Sequence, residues 1–137
     1  MEDKDIKKYY ENTENALPHP IVKQFIEMKT PPKSAIDLGC GAGRDTLYLI
    51  KNGWNVLAID RENTQKIISN KLDDEELKKF RFVSQNFENI KLEKNDLIVS
   101  NFSIPFCNKN NFNEFWNKIV ESISEGRIFC RKFLWFK

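Results

Sequence analysis

Charge of one sign, long apolar runs and paired cysteines are all missing from this chain of 137 residues. Its 22 basic and 20 acidic side chains leave a formal charge of +2. That balance is too even to build the one-signed field that gathers a protein onto nucleic acid or anionic lipid, so no nucleic-acid partner is expected. No apolar stretch reaches the roughly 18 residues a bilayer span requires. The opening Met1-Glu2-Asp3-Lys4-Asp5 is polar and acidic, unlike an export leader. Neither membrane insertion nor export is expected, and the cytoplasm is the predicted location. Cys40, Cys107 and Cys130 are an odd, scattered set without a CxxC pair, which suits neither a disulfide framework nor a thiolate zinc site. Reduced thiols and no metal follow. Repeats, low-complexity tracts and linkers are also lacking.

What is present is apolar surface: 40% hydrophobic and 12% aromatic residues, with 11 phenylalanines, enough for a core that offsets the chain entropy of folding. The length predicts one domain over residues 1–137. Residues 1–30 read as an N-terminal helical cap and 34–137 as the core. Two helices are expected before Thr30-Pro31-Pro32-Lys33, one near Lys4 to Tyr10 and one through Ile21, Val22, Phe25, Ile26 and Met28. The two prolines then end helical geometry. Strands are predicted at 34–38, 54–60, 80–83, 96–100 and 127–136. Helices are predicted at 44–50, 62–70, 74–79 and 110–124, the last closed by Gly126 with an apolar stripe through Phe112, Phe115, Trp116, Ile119, Val120 and Ile123. Strands alternating with helices imply an α/β fold with an open, mainly parallel sheet covered on both faces, a three-layer sandwich.

Chemistry concentrates where the first strand meets the first core helix. Gly39, Gly41 and Gly43 alternate with Cys40 and Ala42, leaving backbone that a ligand can approach closely. Asp60 ends the second strand 21 positions after Gly39, near the spacing at which an acidic side chain meets ribose hydroxyls. Together these describe a site for an adenosine-containing ligand. A dinucleotide fingerprint would carry its third glycine one position later, where Arg44 stands. Asp37, just ahead of the turn, would repel a pyrophosphate and attract an ammonium or sulfonium group. The pattern therefore favours S-adenosyl-L-methionine over NAD, and a nicotinamide-dependent oxidoreductase is the less favoured alternative.

Asp37-Leu38-Gly39-Cys40-Gly41-Ala42-Gly43, continued by Arg44-Asp45, resembles the signature loop of the class I S-adenosylmethionine-dependent methyltransferases. With Leu17-Pro18-His19-Pro20 and Asn101-Phe102-Ser103-Ile104-Pro105-Phe106-Cys107, the chain is similar to the tellurite-resistance-type subfamily. The resemblance implies a Rossmann-like fold and methyl transfer to a small-molecule acceptor. It implies that Asp37 and the backbone of Gly39 to Gly43 hold the methionine moiety, that Asp60 accepts the ribose hydroxyls and that Arg61 flanks the adenine. Asn86-Phe87 stands where relatives carry an Asp for the adenine amino group, and Ser100-Asn101 would face the transferable methyl.

Such a transfer is an in-line displacement from an already activated cofactor, so alignment and exclusion of water are the protein's main contributions. A base is needed only where the acceptor must lose a proton; His19, Tyr9 and Tyr10 are the candidates, with loop or packing roles as their alternatives. Arg44 reads as a partner for a cofactor carboxylate or as a solvated helix residue. In the resembled class the sheet continues past the fifth strand, in the order 3-2-1-4-5-7-6. The resemblance thus implies that C-terminal strands are missing, that the acceptor pocket is incomplete and that the fifth strand is an apolar edge open to self-association. A truncated, non-catalytic adenosyl-cofactor-binding module is the alternative function.

Overall fold

The structure, a computed structural model, describes residues 17–18, 20–28, 31–86, 91–101 and 112–132. The elements in chain order are α1 (Pro20–Glu27), β1 (Ser34–Leu38), α2 (Arg44–Lys51), β2 (Asn55–Asp60), α3 (Gln65–Ser69), α4 (Asp74–Leu77), β3 (Phe80–Ser84), β4 (Asn95–Asn101), α5 (Phe112–Ser122) and β5 (Ile123–Lys132). The expected helix near Lys4 to Tyr10 lies outside the described residues.

All described strand pairs are parallel, and the sheet order is β3-β2-β1-β4-β5. This is the parallel α/β architecture that the alternating pattern predicts and the Rossmann-like fold that the resemblance implies. β1 sits at the centre, with Leu38 opposite Ile59 of β2 and Asp37 opposite Val99 of β4. A strand with neighbours on both edges and both faces buried is mostly apolar rather than alternating, and in β1 Asp37 is the buried exception. Ala35, Ile36 and Leu38 are accordingly buried, as are Val56 to Ile59 in β2 and Leu97 to Val99 in β4.

One face of the core gathers Val22 and Phe25 of α1 with Leu49 and Ile50 of α2, Trp54, Val56 and Ile68. The rings of Phe25 and Trp54 lie 5.6 Å apart in a tilted arrangement, the geometry that suits two ring quadrupoles. No helix among the described residues is long and apolar enough to cross a membrane.

The structure departs most from the sequence reading in two regions. The helix expected over 62–70 begins only at Gln65, because Asp60 Oδ1 accepts the Glu62 amide at 2.9 Å and folds the preceding residues into a turn. The helix expected to run to 124 ends at Ser122, and β5 starts at Ile123 instead of Arg127. Gly126 therefore lies within the strand and does not close the helix. The cause is side-chain capture of the last helical carbonyls: Ser122 Oγ donates to the Ile119 carbonyl at 2.8 Å, and Asn95 Nδ2 donates to the Ser122 carbonyl at 3.3 Å. Ile123 then pairs with Asn95. The register slips before Ile128 pairs with Leu97, and the extra residues of that bulge include Gly126.

Candidate functional site

In an open parallel sheet, ligands bind beyond the carboxyl ends of the strands where the chain reverses its direction of winding. Here that point lies between β1 and β4. The carboxyl ends of β1 and β2 deliver Asp37, the glycine turn and Asp60 to the same edge of the sheet.

The turn's own hydrogen bonds hold those pieces together. The Ile59 carbonyl accepts the amides of Gly39 and Cys40 at 2.7 and 3.1 Å, and the Cys40 carbonyl accepts the Gly43 amide at 2.9 Å. The Gly41 amide donates to Asp60 Oδ2 at 2.8 Å. With the Glu62 amide on Oδ1, the Asp60 carboxylate is oriented by two backbone donors, which use about half of its four acceptor positions. Gly41 and Gly43 have φ of 54° and 86°, a left-handed region that side chains with Cβ avoid. A Cβ on Gly43 would also lie 2.5 Å from Ile68 Cγ1, so the third glycine is the one over which α3 packs.

The electrostatics of the turn are acidic. Asp37, Asp45 and Asp60 are 3%, 6% and 7% exposed. Burial is the largest influence on Asp37 and, with the charges of Asp45 and Asp60, pushes its carboxyl up from 3.8 to about 8; a bond from Thr46 Oγ1 at 2.6 Å and the Arg44 charge act in the opposite direction. With the central amide taken by Asp60, and three acidic residues beside the single Arg44 cation, the site does not suit a pyrophosphate. It does suit a ligand carrying an ammonium or sulfonium charge together with sugar hydroxyls. The donor set thus fits an adenosyl amino acid. No group of His, Cys, Asp and Glu among the described residues could hold a metal ion.

Other residues named from sequence are placed as follows. Cys40 and Ala42 are buried. The Cys40 thiol, its pKa raised first by burial and then by Asp37 and Asp60, packs 3.9 Å from Thr64 Oγ1, so only its backbone belongs to the turn's surface. Arg61 is exposed and faces Glu62 at 3.6 Å. Its carbonyl accepts from Ser84 Oγ at 3.0 Å, and the Gln85 amide donates to the Asp60 carbonyl at 2.9 Å. Those bonds tie the end of β3, and exposed Asn86 beyond it, to the end of β2. Ser100 is fully buried at the end of β4. Tyr9, Tyr10, His19, Phe87 and the side chain of Asn101 lie outside the described residues.

Sequence reasoning missed Thr46, Thr64 and Ile68. The third glycine signalled that a helix packs closely there, but no spacing rule pointed to Ile68. Thr46 occupies an ordinary helical position and Thr64 the position just before α3, neither with distinguishing sequence neighbours.

The chain is similar to several known proteins. The protein CRG1 of Saccharomyces cerevisiae, described as a probable S-adenosylmethionine-dependent methyltransferase, is 28% identical over 106 residues, which are 73% of this chain and 36% of the relative. Among solved structures, TehB from Haemophilus influenzae superposes with a TM-score of 0.70 at 26% identity, covering 81% of this chain and 39% of that one. A Methanococcus maripaludis protein, described as an S-adenosyl-L-methionine-dependent methyltransferase, superposes with a TM-score of 0.74 at 23% identity over 93% of this chain and 62% of its own. The chain therefore spans between about a third and three fifths of these relatives' lengths. The family model of the tellurite resistance protein TehB matches residues 2–128, and by that match the chain belongs to the TehB family.

Proposed function

We propose that this chain binds S-adenosyl-L-methionine at its glycine turn and transfers the methyl group to a soft or oxyanionic small-molecule acceptor. The observation that carries the reading is the 2.8 Å bond from the Gly41 amide to Asp60 within a turn flanked by buried carboxylates. The turn would then take an amino-acid tail and Asp60 a ribose, while the acidic residues Asp37 and Asp45 beside the turn disfavour a pyrophosphate. Asp37 and the backbone of Gly39, Cys40, Gly41, Ala42 and Gly43 take the methionine moiety. Asp60 accepts the ribose hydroxyls, Arg61 and Asn86-Phe87 border the adenine, and Ser100-Asn101 faces the reacting methyl.

When bound, the cofactor supplies a methyl group already activated on a sulfonium. The chain's residues then serve to align it and to exclude water, which is where most of the rate gain of such a displacement originates. For an acceptor that must lose a proton, His19, Tyr9 and Tyr10 are the bases to test. Residues 1–30 are assigned to the acceptor side and 34–137 to the cofactor side of one cytoplasmic domain, with the β5 edge available for self-association. Support for the activity comes from the description of the yeast relative, of which this chain spans 36%.

Calorimetry with S-adenosylhomocysteine, competition with NAD and a methyl-transfer assay test the reading. Saturable binding with product formation is the expected result. Binding without product on any acceptor would indicate a cofactor-binding module, displacement by NAD a nicotinamide enzyme. The absence of saturable binding would reject the cofactor assignment.

A further inference from the structure

We infer that Thr64 is a positioning residue for the cofactor site: its hydroxyl holds the Gly41 carbonyl and so fixes the backbone rotation of the residue whose amide reaches Asp60. The inference rests on the cofactor reading above and adds a residue to it.

Thr64 Oγ1 donates to the Gly41 carbonyl at 2.6 Å, while the Gly41 amide donates to Asp60 Oδ2 at 2.8 Å. The two peptide units that meet at the Gly41 Cα are thereby each gripped, by two side chains only four positions apart in the chain. Four positions further on, Ile68 sits against Gly43 so closely that a Cβ there would overlap it. The segment 60–68 thus touches the glycine turn at the Gly41 amide, the Gly41 carbonyl and Gly43, besides the Cys40 thiol. Thr64 is 2% exposed and Ile68 fully buried, so neither serves as an open wall for a ligand.

A left-handed glycine is the softest backbone in the site, since it can rotate its peptide planes with little steric cost. Rotation at Gly41 would remove the amide from Asp60 and release one of the two donors that orient the carboxylate. Holding the carbonyl as well as the amide removes that freedom before a ligand arrives, which lowers the ordering cost of binding. The Cys40 thiol lies 3.7 Å from the same carbonyl oxygen, but a thiol is a weak donor and cannot replace a hydroxyl.

Thr64→Val removes the hydroxyl and keeps the shape; Thr64→Ser keeps the hydroxyl and loses a methyl. In the ligand-free protein, Thr64→Val should exchange the Gly41 and Gly43 amide protons about ten-fold faster than the parent by NMR, and Thr64→Ser should restore protection. S-adenosylhomocysteine affinity should weaken about ten-fold in Thr64→Val and recover in Thr64→Ser. Unchanged exchange in Thr64→Val, or a serine variant as impaired as the valine one, overturns the inference. If the parent protein fails to bind the probe, the cofactor reading is lost, yet amide exchange still decides whether Thr64 holds the turn. Should Thr64→Val not fold, the hydroxyl proton of the unsubstituted protein decides: a slowly exchanging resonance beside Gly41 supports the lock, and averaging with water refutes it.

Discussion

The amide of Gly41 and the carboxylate of Asp60, separated by 19 positions in the chain, meet at 2.8 Å across the carboxyl ends of adjacent strands. The contact depends on parallel pairing: β1 and β2 are in register with Leu38 opposite Ile59, so the turn after one strand lies directly over the last residue of the other. A slip of one residue would turn Asp60 to the opposite face of the sheet.

Replacing Asp60 by Ala removes the acceptor for two backbone amides. Affinity for S-adenosylhomocysteine should fall about 10- to 100-fold, the range for losing hydrogen bonds to a charged group. Asp60→Asn, which keeps one carbonyl acceptor, should fall less. Calorimetry on both variants checks the order.

Gly43→Ala combines a left-handed backbone with a Cβ 2.5 Å from Ile68 Cγ1. Urea unfolding should show a loss of about 2–5 kcal/mol, from backbone strain plus overpacking. In an Ile68→Ala background the same change should cost about 1–3 kcal/mol less, because the overlap is gone while the strain persists.

The Asp37 carboxyl is pushed up from 3.8 to about 8. In that interval the folded protein retains a proton that the unfolded chain has released, so raising the pH favours unfolding. The contribution of Asp37 to stability is complete below the lower value and is lost as pH rises through the upper one. Urea midpoints of the unliganded protein should therefore fall between about pH 4 and pH 8 more steeply than those of Asp37→Asn, which has no proton to lose there.

Cys40 is buried, and burial raises its thiol pKa. Thiolate is the reactive species, so iodoacetamide should label Cys40 at least about ten-fold more slowly in the folded protein than in urea. Peptide mass spectrometry reads this residue separately from Cys107 and Cys130.

Much of the cofactor half was readable because it depends on local rules. The bounds of β1 follow from a short apolar run between a double proline and a glycine turn, and the end of β2 from a carboxylate after a buried run. The helix after Arg61 starts late because Asp60 bonds forward to Glu62, a tertiary site residue acting on local geometry. The end of α5 was missed for a related reason. Asn95, distant in sequence, takes the Ser122 carbonyl, and no periodicity within 110–126 carries that information. Thr64 was silent because its partner is a backbone carbonyl, and any residue type can supply one.

Amide NMR spectra recorded while S-adenosylhomocysteine is added test most directly whether the turn and Asp60 form one cradle. The account predicts that Gly39, Gly41, Gly43 and Glu62 shift together, saturably and with one dissociation constant. Shifts confined to another part of the sheet, or glycine resonances that stay still while Glu62 moves, would contradict it.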